Sequence, residues 1–185
     1  MAVRPAAFAA ALLAAGLAAG CVTEGGGSMD SSTEKQIRER IASFATVQGK
    51  EFEENVDLLG GFLRDKSVPL LLEFLDGDPS PRVRCGCALA LAVAQDGRAR
   101  EPLARAATGD SNAGVRYTAA YALCLFRDSR GLPVLFETLR SDSQQIRWDG
   151  NERLKKLTGL DFGFNAADPP AQREEAAARW ESWYR

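Results

Sequence analysis

The feature that most limits what this chain can fold into is a sequence that repeats itself every 31 or 32 residues. Four similar blocks open at Phe52 ("FEENVDLLGGFLRD"), Val83 ("VRCGCALALAVAQD"), Val115 ("VRYTAAYALCLFRD") and Ile146 ("IRWDGNERLKKLTG"). In the first three, the positions at offsets 0, 4 and 11 read Phe52, Val56, Leu63, then Val83, Cys87, Ala94, then Val115, Ala119, Phe126. Those offsets fall on one side of a 3.6-residue helix, so each block predicts an amphipathic helix with its core stripe specified. Small residues at offset 4, namely Cys87, Ala119 and Gly150, predict a neighbouring helix at close range.

Each of the first three blocks ends in Asp (Asp65, Asp96, Asp128), and Pro follows at Pro69, Pro102 and Pro133, leading into a second apolar segment. Proline is tolerated in a first helical turn, where its missing N–H would lack a partner anyway. The unit therefore reads helix, short turn, helix, short turn, with "DGDPSP", "TGDSNAG" and "SDSQQ" supplying the reversals. One such hairpin cannot bury its apolar side alone, whereas stacked hairpins share a continuous core. The expected fold is all-α, an α-solenoid (right-handed superhelix) of stacked helical hairpins with a C-terminal capping helix.

The cadence "VRxxAAxAL" at 115–123 and the spacing from Asp to Val-Arg or Ile-Arg resemble HEAT repeats, in the short form called HEAT-like or phycobilisome-lyase-type. The similarity spans about residues 50–160. It implies a protein-binding scaffold whose concave side is lined by offsets 2 and 6: Cys85, Leu89, Tyr117, Tyr121, Trp148 and Glu152. It also implies a structural ladder in which Arg84, Arg116 and Arg147 pair with Asp78, Asp110 and Asp142 between neighbouring repeats. Packing between helices is the plainer role for the six face residues, and recognition of an anionic partner is the other role open to the arginines.

The ends read differently from the repeats. Ile37, Ile41, Phe44 and Val47 sit at helical spacing and predict an N-terminal helix shielding the first block. After "LTGLDFGFN", Asp168-Pro169-Pro170 suits a helix start, and Ala176, Trp180, Trp183 and Tyr184 share a side of the helix that follows. This ending resembles those of bacterial HEAT-repeat proteins. Asp161-Phe162-Gly163 matches the kinase tripeptide in letters only, because no Gly-rich nucleotide loop or HRD sequence accompanies it.

"MAVRPAAFAAALLAAGLAAGC" carries one early positive charge, an uncharged apolar run and small residues before Cys21, the layout of a secretory signal. Leu17-Ala18-Ala19-Gly20-Cys21 resembles a bacterial lipobox, with Leu one residue further from the cysteine than usual. The resemblance implies acylation of Cys21 and a lipid-anchored protein of the bacterial cell envelope facing the periplasm or exterior. Val22 after the cysteine implies the outer membrane if the host has one. The expected organisation is 1–20 lipoprotein signal peptide, 21–33 flexible Gly/Ser tether, 34–160 HEAT-like repeat solenoid and 161–185 C-terminal cap loop and helix.

Chemistry is sparse. The chain contains no histidine, which removes His general bases, Ser-His and Cys-His nucleophile pairs and the commonest metal ligand. Lys and Arg number 23 against 25 Asp and Glu, a poor match to nucleic acid. Cys85 and Cys87 lie about 200° apart on a helix and so cannot grip one metal together. Packing is the expected role of both, and a bridge from Cys85 to Cys124 stays open. No metal, cofactor or catalytic residue is expected. The expected function is a scaffold binding a protein or peptide through its concave face. The alternatives are an enzyme or enzyme accessory of the HEAT-like lyase type, a thiol-active protein using Cys85, and a purely structural envelope component.

Overall fold

The computed structural model describes residues 29–185; the signal-like segment, Cys21 and most of the expected tether lie outside them. The described residues form helices α1 (Ser31–Ser43), α2 (Gly49–Asp57), α3 (Arg64–Gly77), α4 (Pro81–Ala94), α5 (Arg100–Gly109), α6 (Ala113–Leu125), α7 (Leu132–Thr138), α8 (Gln144–Thr158) and α9 (Pro170–Tyr184). Among them no strand occurs, and no helix is long and apolar enough to cross a membrane. Odd-numbered helices α1, α3 and α5 stack as one layer and even-numbered α2, α4 and α6 as the other, with α7 and α8 continuing the pattern. This is an α-solenoid of helical hairpins.

The four block openings, Phe52, Val83, Val115 and Ile146, fall near the starts of α2, α4, α6 and α8. Val83, Cys87, Ala94, Val115, Ala119 and Phe126 are buried as the stripe predicts. Ile146 of α8 is the exception, 37% exposed. The small residues do admit close neighbours. A Cβ on Gly150 would lie 1.7 Å from Thr138 Oγ1 of α7, and one on Gly86 would lie 2.4 Å from the Phe44 ring. Only glycine lets those surfaces meet.

The first block departs from the others. Instead of a turn at Asp65, a π-helical turn (Leu58–Phe62) carries the chain from α2 into α3, where Asp65 is an ordinary first-turn residue and Pro69 is the sixth residue rather than one of the first. The buried Ser67 hydroxyl donates to the Leu59 carbonyl, satisfying an acceptor in the π turn. In the next two blocks the terminal Asp is a cap. The Asp96 carboxylate accepts from the Arg98 amide at 2.9 Å, and Asp128 accepts from that of Arg130 at 3.1 Å, each opening a short 3₁₀ turn.

At the ends, α1 begins at Ser31, capped by Asp30, so residues 31–33 belong to the helix and not to the expected tether. The C-terminal helix α9 packs on α7, burying Trp180 completely. Phe162 meets Trp180 edge-on with ring centroids 4.7 Å apart, which fastens the preceding loop to the cap. Arg140, in the turn after α7, reaches both Glu174 and Glu181 of α9.

Candidate protein-docking face

The recurrent Val-Arg or Ile-Arg pair places an arginine one residue after each block opening in α4, α6 and α8. Each guanidinium folds back onto the turn that precedes its own helix. Nη1 donates to the carbonyl six residues earlier in every case: Arg84 to Asp78 at 2.7 Å, Arg116 to Asp110 at 2.9 Å and Arg147 to Ser141 at 2.7 Å. This clamps the hairpin reversal, and a second constraint accompanies it. The Asp78 and Asp110 carboxylates accept from the Ser80 and Asn112 amides, while the Ser141 hydroxyl accepts from the Ser143 amide.

The expected carboxylate ladder between repeats therefore reduces to one rung. Arg84 of α4 forms a two-pronged pair with Asp110 of the next turn at 2.7 and 2.8 Å, with both side chains nearly buried. The pair holds the Asp110 carboxyl below the usual carboxylate range, chiefly through the hydrogen bond from Arg84. Arg116 has no such partner among the described residues, because the structural equivalent of Asp110 in the following turn is Ser141. Asp142 is one residue out of register and exposed, and it contributes only its backbone carbonyl, to Arg147. Arg147 instead donates to the Ala166 carbonyl at 2.8 and 3.1 Å, tying α8 to the C-terminal loop.

The six face residues all lie on α4, α6 and α8. Leu89, Tyr117 and Tyr121 are half-buried and pack against the core, so much of their surface serves the stack. Glu152 pairs with Lys155 at 3.3 Å. Trp148 differs, with 54% of its surface open. Cys85 is half-buried and lines an open groove of about 500 Å³ at the starts of α2, α4 and α6, together with Gln48, Phe52, Pro81, Arg82 and Asn112.

Burial pushes the Cys85 thiol up, with a hydrogen bond from Thr118 and the charges of Arg153 and Arg84 opposing it in part. Burial pushes Cys87 up further, and lifts Cys124 to about 12. All three are free thiols. The Cys85–Cys124 bridge is absent because the two residues sit at opposite ends of their helices, and Cys124 is packed against Gly131.

Three contributors escape a reading of the repeat alone. Phe52 and Arg82 line the groove although neither occupies a face offset. Arg153 occupies offset 7, where the other blocks place the buried Leu59, Ala90 and Ala122. An arginine cannot be packed there as alanine is, and α8 packs less extensively on α6 than α6 does on α4. The guanidinium carbon lies 4.9 Å from the Tyr121 ring centroid. Substitution of a charged residue at a position otherwise apolar through the repeat is the signal that marks it.

No curated protein matches this chain. Residues 68–155, running from α3 into α8, match the family model for HEAT repeats, which supports a HEAT-repeat protein.

Proposed function

We propose that this chain is a non-catalytic scaffold that binds a protein partner through the layer formed by α4, α6 and α8, and that acylated Cys21 holds it at the bacterial cell envelope. HEAT repeats commonly act as protein-interaction scaffolds, which supports the first part. The observation that carries it is Trp148: a large aromatic group 54% exposed on a rigid helix, in the same layer as the half-buried Tyr117 and Tyr121 of α6. Aromatic anchors of this kind dominate protein interfaces because they bury much surface at little entropic cost. The sequence leading into Cys21 supports the anchor. Several acyl chains, each contributing about 0.8 kcal/mol per buried CH₂, would retain the protein at a membrane where one would not.

The test is photo-crosslinking in cells from a probe at Trp148 or Tyr117, with a probe at Arg105 on α5 as the control. A discrete partner captured from the first two and not from the third supports the scaffold. Equal capture from both layers would remove this face from the proposal. Mass analysis of the native N-terminus tests the anchor, which requires a diacyl or triacyl adduct on Cys21.

A further inference from the structure

Some guanidinium groups are neutralised: Arg38 of α1 by Glu34 and Glu73, Arg130 of the 3₁₀ turn before α7 by Asp128 and Glu101, and Arg140, just after α7, by Glu174 and Glu181. Arg82 of α4, Arg116 of α6 and Arg153 of α8 have no carboxylate partner among the described residues. Arg82 is exposed and donates only to the Val47 carbonyl at 2.8 Å and the Phe44 carbonyl at 3.4 Å. Arg116 uses one nitrogen on its turn carbonyls, and Arg153 stacks on Tyr121.

Of the carboxylates on these helices and the turn before α6, Asp110 pairs with Arg84, Glu152 with Lys155 and Glu54 with Lys50, while Asp149, Glu53 and Asp57 keep their charge and Glu51 lines a different groove, against α1. None of them lines the groove between α2, α4 and α6, where Arg82 is the charged residue. The groove between α2, α4 and α6 offers apolar surface from Phe52, Pro81 and Cys85, with Arg82 in its wall. Tyr117 and Tyr121 of α6 and the open Trp148 of α8 belong to the same layer, and Arg153 of α8 reaches over to the Tyr121 ring.

We propose that this groove and the arginine-flanked aromatic row beside it receive an acidic peptide segment of a protein partner, whose carboxylates meet Arg82 and Arg153 while its apolar side chains fill the groove. The inference rests on the scaffold reading and adds the chemistry of the partner. Guanidinium groups without carboxylates pair readily with incoming ones, and an interface of this sign steers an acidic segment in and rejects a basic one. A protein ligand is favoured over nucleic acid because the chain as a whole is net negative.

The experiment measures fluorescence anisotropy of the full chain with short labelled peptides alternating Glu and Leu, Gln and Leu, or Lys and Leu, and with a short single-stranded DNA. The Glu peptide is expected to bind best and the Lys peptide worst, with the difference shrinking as salt rises. Arg82→Glu and Arg153→Glu should each weaken the Glu peptide by about threefold to fivefold, the effect of one partly exposed ion pair. Arg105→Glu on α5 should leave it unchanged, and Arg153→Lys should retain most of the binding.

Arg82 also fastens the loop after α1, so its variant counts only with a wild-type melting curve; Arg153→Glu then decides. Equal binding of the Gln peptide, a preference that survives both reversals, or tighter binding of the DNA would overturn the proposal. Crosslinks at Trp148 together with a preference for the neutral or basic peptide would leave the scaffold standing and remove only its acidic partner. Charge-selective binding without any crosslinked partner would do the reverse.

Discussion

Arg84 and Asp110 form the nearly buried ion pair between successive hairpins, and that burial makes the pair costly to break. Asp110→Asn leaves a guanidinium without its counter-charge and should lower stability by about 2–3 kcal/mol, read from urea denaturation. Asp110 and Asp96 are both held below their ordinary pKa, chiefly by hydrogen bonds from Arg84 and Arg98, Asp96 to about 2. A carboxyl with a depressed folded-state pKa contributes fully above its unfolded value of about 3.9, and the contribution fades as pH falls through the folded value. Acid unfolding between about pH 4 and pH 2 should therefore be less steep in Asp110→Asn than in the wild type. Gly150→Ala should destabilise by about 2 kcal/mol or more despite alanine's better helix propensity, because its methyl group enters the space of Thr138. Combining it with Thr138→Ala should cost less than the two changes summed, as a double-mutant cycle will show. Peptide-resolved alkylation at pH 8 should find Cys85 and Cys124 slower than an unstructured thiol and Cys87 inert until unfolding, since burial raises all three. A fast Cys85 would instead return thiol chemistry to consideration.

At the scale of elements, the repeat is built from caps and clamps as much as from apolar stripes. Asp96 and Asp128 start the 3₁₀ turns that set the angle between one helix and the next. Replacing either with Ala should cost about 1 kcal/mol, measured by thermal or urea unfolding. The same letter means something else at Asp65, where the π turn with Gly60 against α4 replaces the capped turn. Sequence alignment gives these three Asp residues one role, and local backbone geometry gives them two. The ladder fails at α8 for a comparable reason: Ser141 stands where a carboxylate is required, and Arg153 displaces an alanine. Both changes act at the α6–α8 junction.

For the whole molecule, stability depends on closing the final hairpin. Trp180 is fully buried between the solenoid and the Phe162 loop, while Arg147 and Asn151 of α8 bond that loop's carbonyls. Trp180→Ala should cost about 3–5 kcal/mol and release α9, with faster hydrogen exchange in α7 and α9 than in α4. The stack, its period, the helices and their buried stripes were all legible in the chain, because a 3.6-residue periodicity repeated every 31 or 32 residues leaves few ways to bury its apolar positions. A single open aromatic among six equivalent face residues, and the arginines that go without a carboxylate partner, were not legible. Which side chain stays exposed, and which charge finds a partner, depends on distances between helices that are far apart in sequence. One-residue shifts of register and the bulk of a single side chain set those distances, and only the packed structure resolves them.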